Sequence, residues 1–314
     1  MKQNFGEFSN VILNLSANIA SSLSKIDNNI KEDIQEIRIR VNKSVVIFAS
    51  KRSFFLGEGG LLSQNDPKTL IVDQNDMLET LKIICNFSIY SFQNQIKDGF
   101  VTLKGGHRVG LCGTAVIDDG KIINTSDISS INLRIAKQIP GCSDKIFEKF
   151  GTNLGGTLIV GPPSSGKTTI LRDIAKRLST SYEEEKLIKI TIIDERREIA
   201  SVFQGVPQND IGFSDVLNGF PKSDGIMRAL RTLSPKIVIC DEIGNNDDSL
   251  AIKELLNCGM GIIASIHADS IDEISNSIRI KNIINSGAIK RIVLLGSIPG
   301  EIKGMFELKK NEKD

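Results

Sequence analysis

The sequence contains few of the residues on which many metal sites and nucleic-acid surfaces depend. Its 314 residues include two histidines, two tyrosines and no tryptophan. Two histidines exclude a catalytic metal site with three histidine ligands. The scarcity of large aromatic rings leaves few platforms on which nucleic-acid bases could stack. Both classes of site are therefore disfavoured before any motif is considered.

The cysteines are also few, and they are widely scattered. The five residues do not form a C-x-x-C pair anywhere; they are Cys85, Cys112, Cys142, Cys240 and Cys258. An odd and dispersed set is typical of a reducing cytoplasm and argues against a disulfide framework or a zinc knuckle.

Net charge and hydrophobic runs are equally modest. Lysine and arginine total 39 against 38 acidic residues, a net charge of +1, so the whole chain is not built to coat nucleic acid or an anionic membrane. No run of 18 apolar residues occurs, and the charged start does not resemble a secretory signal. The sequence therefore predicts a cytoplasmic protein without direct membrane insertion.

The length suggests two domains, and the patterning changes between the two halves. In the first half, an apolar stripe at helical spacing precedes short alternating segments separated by glycine turns, which predicts an α+β domain. Pro140-Gly141 is the best boundary, giving domains 1–141 and 142–314. In the second half, strands alternate with helices, which predicts a parallel sheet covered by helices. The strands are predicted at 157–160, 188–193, 237–240, 262–266 and 292–295.

A complete phosphate-binding motif, G-x-x-x-x-G-K-[ST], follows the first strand of the second half and opens a helix. Backbone N–H groups of such a loop converge on phosphate oxygens at the positive end of the helix dipole. Lys167 is predicted to reach the β- and γ-phosphates of ATP, and the Thr168 hydroxyl to bind Mg²⁺. The predicted nucleotide-binding residues are Gly161, Pro162, Pro163, Ser164, Ser165, Gly166, Lys167, Thr168 and Thr169.

A second apolar strand, 237–240, ends in two carboxylates. Asp241 is predicted to hold Mg²⁺ through water, and Glu242 to polarise the attacking water. Such a pair alone is most often a solvated strand end, but its position after the phosphate loop favours an NTPase site.

Three further segments resemble motifs of the hexameric ATPases of type II/IV secretion and pilus assembly, in the RecA-like group. They are an acidic box at 194–199, the run 226–237, and a histidine box at 257–269. The resemblance implies a RecA-like P-loop ATPase domain preceded by a smaller α+β domain, and a ring-shaped homo-oligomer of six copies. The sequence departs from the family after Asp241-Glu242, where the usual Arg-Asp is missing, and it has no tetracysteine zinc module.

The whole chain resembles, more closely, a family of bacterial sporulation ATPases. The similarity rests on total length and on the segments 36–40, 105–110 and 132–136. It implies an ATPase in the mother cell that powers a channel apparatus linking mother cell and forespore, working with membrane platform proteins. Association with the membrane would then be peripheral, through those partners.

The resemblance also bears on individual residues. His267 is predicted to sense the γ-phosphate, although a simple strand-end histidine is the alternative. Glu195 is equally compatible with a catalytic role and with a solvated face. Arg108 and Arg134 are predicted, from the family's N-domain arginines, to reach the nucleotide as arginine fingers. His107 is predicted to be structural.

Three functions remain open at this point. The favoured one is an ATP-driven ring motor. A nucleic-acid-dependent RecA-like ATPase is disfavoured by the charge and the few aromatic residues, and no nucleic-acid partner is expected. A nucleotide-switched scaffold without useful turnover is the third.

Overall fold

The computed structural model describes residues 4–50, 52–65, 70–276, 283–284 and 286–308. The chain divides into two compact units, Met1–Lys137 and Gln138–Asp314. The predicted boundary at Gly141 therefore falls just inside the second unit. Within the described residues, no helix combines the length and apolar character needed to cross a bilayer.

The first unit has five helices and seven strands among its described residues. The helices are α1 (Asn4–Ile12), α2 (Ala17–Ser24), α3 (Asn28–Lys31), α4 (Gln74–Ile84) and α5 (Gln93–Lys97). The strands are β1 (Ile34–Arg40), β2 (Val46–Ala49), β3 (Ser53–Leu56), β4 (Leu62–Ser63), β5 (Phe100–Thr102), β6 (Arg108–Asp118) and β7 (Lys121–Arg134). They form one antiparallel sheet in the order β4-β3-β2-β1-β7-β6-β5.

The two faces of this sheet differ in chemistry because side chains alternate along each strand. Ile37, Ile39 and Leu133 are completely buried, and helices α4 and α5 contact β7. Arg38 and Arg40 alternate with these isoleucines and are only partly buried. The predicted α+β unit is thus confirmed, with one apolar core face and one face rich in arginine.

The apolar stripe near the start of the chain forms two helices rather than one. Ser16 lies at the break, where its backbone N–H donates to Thr80 Oγ1 at 3.0 Å and its hydroxyl donates to Asp76 Oδ1 at 2.8 Å. These partners lie on α4, so the break depends on tertiary contacts that local periodicity does not reveal.

His107 is a buried structural residue of this unit. Its Nδ1 accepts a hydrogen bond from the Ala136 backbone N–H at 3.1 Å, and its side chain has 0% exposure. Burial lowers the pKa of His107 from 6.5 to about 4, because the charged imidazolium would lose its hydration. The site thus favours a neutral ring.

This histidine makes stability depend on pH. Above about pH 6.5 the ring is neutral in both the folded and unfolded chains; as the pH falls toward 4, only the unfolded chain gains the proton. The free energy of unfolding should therefore fall by about 3 kcal/mol across this window, at about 1.4 kcal/mol per pKa unit. Urea unfolding at several pH values measures the slope. A His107→Gln variant should lack this component, and an unchanged slope in that variant would contradict the assignment.

The second unit has five described helices. They are α6 (Asp144–Phe150), α7 (Lys167–Ser179), α8 (Lys222–Thr232), α9 (Asn246–Asn257) and α10 (Ile271–Asn276). Its strands are β8 (Thr157–Gly161), β9 (Tyr182–Glu183), β10 (Lys186–Leu187), β11 (Ile190–Asp194), β12 (Asp215–Asn218), β13 (Ile237–Cys240), β14 (Gly261–His267), β15 (Arg291–Leu295) and β16 (Ile302–Glu307). Strands β9 and β10 form a separate hairpin.

The main sheet of this unit has the order β12-β11-β13-β14-β8-β15-β16. All neighbouring pairs are parallel except β15 and β16. The predicted parallel sheet is therefore confirmed for its five predicted strands. The sequence did not predict the parallel strand β12 or the antiparallel edge strand β16. One apolar core packs α8 and α9 against one sheet face, and a second core packs α6 and α7 against the other.

The sheet topology brings the predicted site segments to one edge of the sheet. The adjacent strands β11, β13, β14 and β8 are parallel, so their carboxyl ends meet at one edge of the sheet. The acidic box, the paired carboxylates, His267 and the phosphate loop follow or end these four strands. Ligand sites in open α/β sheets lie at this edge.

Candidate nucleotide site

The phosphate loop is held in a tight turn between β8 and α7. Gly166 precedes α7 with φ of +96°, a left-handed conformation that favours glycine. A Cβ on Gly161 would lie 2.6 Å from Ser165 Oγ, so this position also needs a residue without a side chain. The Ser165 carbonyl accepts the Gly300 N–H at 2.9 Å, which fixes the loop from outside.

Lys167 lies at the centre of the site and is almost completely buried, with 5% exposure. Its ammonium donates to the carbonyl oxygens of Gly161 at 2.9 Å and Pro162 at 2.8 Å, and Nζ lies 2.9 Å from His267 Nδ1. Burial lowers the pKa of Lys167, whereas Asp241 and other nearby carboxylates raise it. The cation is thus directed at the loop interior, beside the first turn of α7.

Two oxygen ligands suited to Mg²⁺ lie next to this lysine. Thr168 Oγ1 donates to Asp241 Oδ2 at 2.7 Å, and Ser265 Oγ contacts the other carboxylate oxygen. Mg²⁺ in nucleotide sites is held by one or two protein oxygens together with phosphate oxygens and water. Among the described residues, no cluster of three or more His, Cys, Asp or Glu side chains offers a separate metal site. The threonine–aspartate pair fits a metal shared with phosphate.

The loop itself also fits a phosphate group. Ser165 Oγ is buried and has no hydrogen-bond partner among the residues that the structure describes. The Gly161 position leaves no room for a Cβ, so the backbone can approach a ligand closely. A buried hydroxyl and a compact backbone cradle are features that an oxyanion would use.

Glu242 and His267 form a second pair at the same edge. His267 Nε2 lies 2.5 Å from Glu242 Oε1. An ammonium group is only a donor, so the contact of Lys167 with His267 Nδ1 requires that nitrogen to accept. His267 therefore donates through Nε2 to Glu242, and one imidazole ring links the loop lysine to the carboxylate.

The backbone around Glu242 is held in an unusual conformation. Glu242 has φ of +48°, and its N–H donates to Ser265 Oγ at 3.0 Å. The next N–H, of Ile243, donates to the Ser265 carbonyl at 3.0 Å. A non-glycine residue is retained in this region only where its surroundings hold it firmly. Strand β14 thus fixes the direction of the Glu242 side chain.

The acidic box contributes a rigid turn after β11. The buried Asp194 carboxylate accepts N–H groups from Glu198 at 2.8 Å, Ile199 at 3.1 Å and Ala200 at 2.8 Å. Burial raises the pKa of Asp194, and these hydrogen bonds lower it. Glu195 pairs with Lys222 of α8, so its carboxylate contacts a helix residue rather than the phosphate loop.

Arg196 belongs to the same turn and brings a cation to the paired carboxylates. Its Nη1 lies 2.5 Å from Glu242 Oε2. Neither Arg196 nor Ser265 was assigned a role from the sequence, although both lie inside the quoted motifs. A motif indicates which segments converge but not which side chain of each segment reaches the site.

Arg108 and Arg134 lie in the first unit, where they are opposite each other on β6 and β7. The Arg108 guanidinium stacks 3.8 Å from the centroid of the Phe100 ring. Arg134 Nε lies 3.6 Å from Glu36 Oε2, and its side chain is 66% exposed. The two arginines therefore share one sheet face. Their contact with a nucleotide phosphate stays a prediction.

Known proteins resemble this chain in sequence and in fold. The family model described as sporulation stage III, protein AA matches residues 8–312. Stage III sporulation protein AA of Bacillus subtilis (strain 168) is 34% identical over 297 residues, which cover 93% of this chain and 93% of that protein.

Solved structures share the fold. The Legionella pneumophila ATPase DotB aligns with a TM-score of 0.52 at 14% identity, covering 83% of this chain and 72% of that chain. The pilus retraction motor PilT, determined with bound ADP, aligns with a TM-score of 0.50 at 16% identity, covering 83% and 74%. The predicted fold class, a RecA-like P-loop domain preceded by an α+β domain, is confirmed.

Proposed function

Since the chain belongs to the family of sporulation stage III, protein AA, we propose that it is an ATP-hydrolysing motor of a sporulation apparatus. The observation that carries this proposal is the convergence of Lys167, Thr168–Asp241 and Glu242–His267 at the carboxyl ends of adjacent parallel strands. Each group has the chemistry that one part of phosphoryl transfer requires.

Different residues of the site perform different parts of ATP hydrolysis in this proposal. Backbone N–H groups of the non-proline residues in 161–169 and the Lys167 ammonium bind the phosphates, and Thr168 and Asp241 would hold Mg²⁺, the aspartate through water. Bound Mg²⁺ supplies positive charge that offsets the charge on the transferring group. Glu242 takes a proton from water, whose oxygen bonds to the γ-phosphorus as the bond to the β–γ bridging oxygen breaks, releasing ADP and phosphate.

His267 would couple changes at the bound nucleotide to Glu242, the proposed general base. Its ring contacts both Lys167, which binds phosphate in this proposal, and Glu242. A change in the hydrogen bonding of Lys167 therefore changes the partner available to Nδ1 and, through the ring, the donor facing Glu242. Glu195 would take part only indirectly, because Lys222 engages its carboxylate.

Coupling to work requires an assembly larger than one chain. We propose a closed homo-oligomeric ring, which we expect to be a hexamer, in which Arg108 and Arg134 complete a nucleotide site. Conformational changes driven by ATP binding and hydrolysis in the ring would be transmitted to membrane platform proteins of the channel between mother cell and forespore. The protein would act from the mother-cell cytoplasm, reaching the membrane through these partners.

Phosphate release by the purified full chain with Mg²⁺ and ATP tests this proposal. Steady turnover is expected without nucleic acid, and single-stranded DNA or RNA should change the rate less than twofold. A large stimulation that disappears steeply with added salt would instead favour the nucleic-acid-dependent ATPase. ATP binding without turnover, with the membrane partners present, would favour the switched scaffold.

A further inference from the structure

The carboxylate of Glu242 is engaged on both of its oxygens. Oε1 faces His267 Nε2 and Oε2 faces Arg196 Nη1, each at 2.5 Å. The Glu242 side chain is only 18% exposed, so its carboxylate is largely shielded from water while both of its oxygens are engaged. A carboxylate oxygen that accepts a hydrogen bond from a guanidinium has one lone pair fewer with which to accept a proton from water.

Arg196 is presented by a segment with little freedom. Asp194 fixes the turn through three backbone N–H groups, and the N–H of Arg197 donates to the Asp194 carbonyl at 3.2 Å. Arg197 itself has φ of +57°, which reverses the chain direction immediately after Arg196. The backbone of Arg196 is therefore fixed, and movement of its guanidinium must come from side-chain rotation.

The guanidinium has room for that rotation. The Arg196 side chain is 51% exposed, whereas Lys167 of the phosphate loop is buried and Thr168 is partly buried. A half-exposed ion pair is weak, since water competes for both partners. The contact with Glu242 can thus open while the buried part of the site stays packed.

We propose that Arg196 restrains Glu242, and that ATP hydrolysis requires the Arg196–Glu242 contact to open. This inference rests on the proposed function, because it takes Glu242 as the group that activates water. Arg196 is a positioning residue here: it acts through Glu242 rather than on the phosphates. Because the Arg196 side chain is half exposed, an anionic group of a partner subunit or protein can bind it in place of Glu242 and so activate hydrolysis.

Replacement of Arg196 by glutamine tests the restraint. The Arg196→Gln variant keeps a polar side chain of related length but has no charge. Its kcat for ATP hydrolysis should rise about five- to tenfold, the effect of losing one partly exposed charge-assisted contact. The KM for ATP should change less than twofold, because Arg196 does not bind the phosphates in this scheme. Arg196→Lys retains a cation and should stay near the wild-type rate.

Two controls separate restraint from general damage. Arg177 of α7 pairs with Asp144 at 2.5 Å away from the paired carboxylates, so Arg177→Gln removes a comparable ion pair and should leave kcat unchanged. In a Glu242→Gln background, adding Arg196→Gln should not raise kcat, since the carboxylate being restrained is absent.

The outcomes distinguish the restraint from the ATPase proposal. A fall in kcat in Arg196→Gln, with wild-type turnover intact, would overturn the restraint alone. An equal effect in the Glu242→Gln background would also overturn it. Absence of turnover in both the wild-type chain and Arg196→Gln would overturn the ATPase proposal and the restraint with it.

Discussion

Replacement of Lys167 by alanine is expected to lower ATP turnover by about 10²–10³-fold, the range for loss of one preorganised charge-stabilising donor. Lys167 is buried, its ammonium donates to two carbonyl oxygens of its own loop, and it contacts His267. Alanine removes both the phosphate donor and the link to His267. Phosphate release at saturating ATP measures the loss.

Lys253 offers a matched control for this substitution. It lies on the exposed face of α9, so Lys253→Ala removes the same charge from the same unit without touching the loop. Its turnover should equal that of the wild-type chain. Near-normal turnover in Lys167→Ala, at normal thermal stability, would show that phosphate is bound elsewhere.

Replacement of Glu242 by glutamine should separate binding from chemistry. Glutamine can still occupy the position between His267 and Arg196 but cannot accept a proton as a carboxylate does. Turnover should fall by about 10²–10⁴-fold, as expected for loss of a general base. Binding of ATP should persist, so the variant should retain unhydrolysed nucleotide after gel filtration.

Glu254 provides the corresponding control, since it lies exposed on α9 and Glu254→Gln makes the same chemical change. This variant should hydrolyse ATP at the wild-type rate. If Glu242→Gln lost ATP binding as strongly as turnover, Glu242 would be a structural or ligand-binding residue, and the assignment of the water-activating base would be wrong.

The phosphate loop could be predicted from the sequence because its parts are contiguous. A buried strand, a glycine turn and a helix that begins at Lys167 follow one another within a few residues, and local sterics specify their order. The second unit was also predictable as alternating strands and helices, since its central strands β8, β11 and β13 are buried on both faces and appear as continuous apolar runs.

Other features depend on contacts between distant parts of the chain. Nothing in the run Glu195-Arg196-Arg197 distinguishes the two arginines. In the folded turn, Arg197 has a left-handed φ and Arg196 contacts Glu242. The contact between Lys167 and His267 likewise depends on β8 and β14 being neighbours.

The long ribbon of β6 and β7 was predicted as several short strands. Most of its outer half is exposed on both faces, so the sequence there has no alternation of apolar and polar residues from which strand length could be inferred. Pairing along the hairpin, closed at Asp118 and Lys121, sets the strand length instead.

Calorimetric titration of the folded full chain with ATP, in the presence and absence of Mg²⁺, tests the central claim most directly. The account predicts saturable binding at one site per chain that weakens strongly when Mg²⁺ is removed, since Thr168 and Asp241 then lose the ion through which they hold the phosphates. Absence of Mg²⁺-dependent binding in correctly folded protein would contradict a nucleotide site at this edge of the sheet.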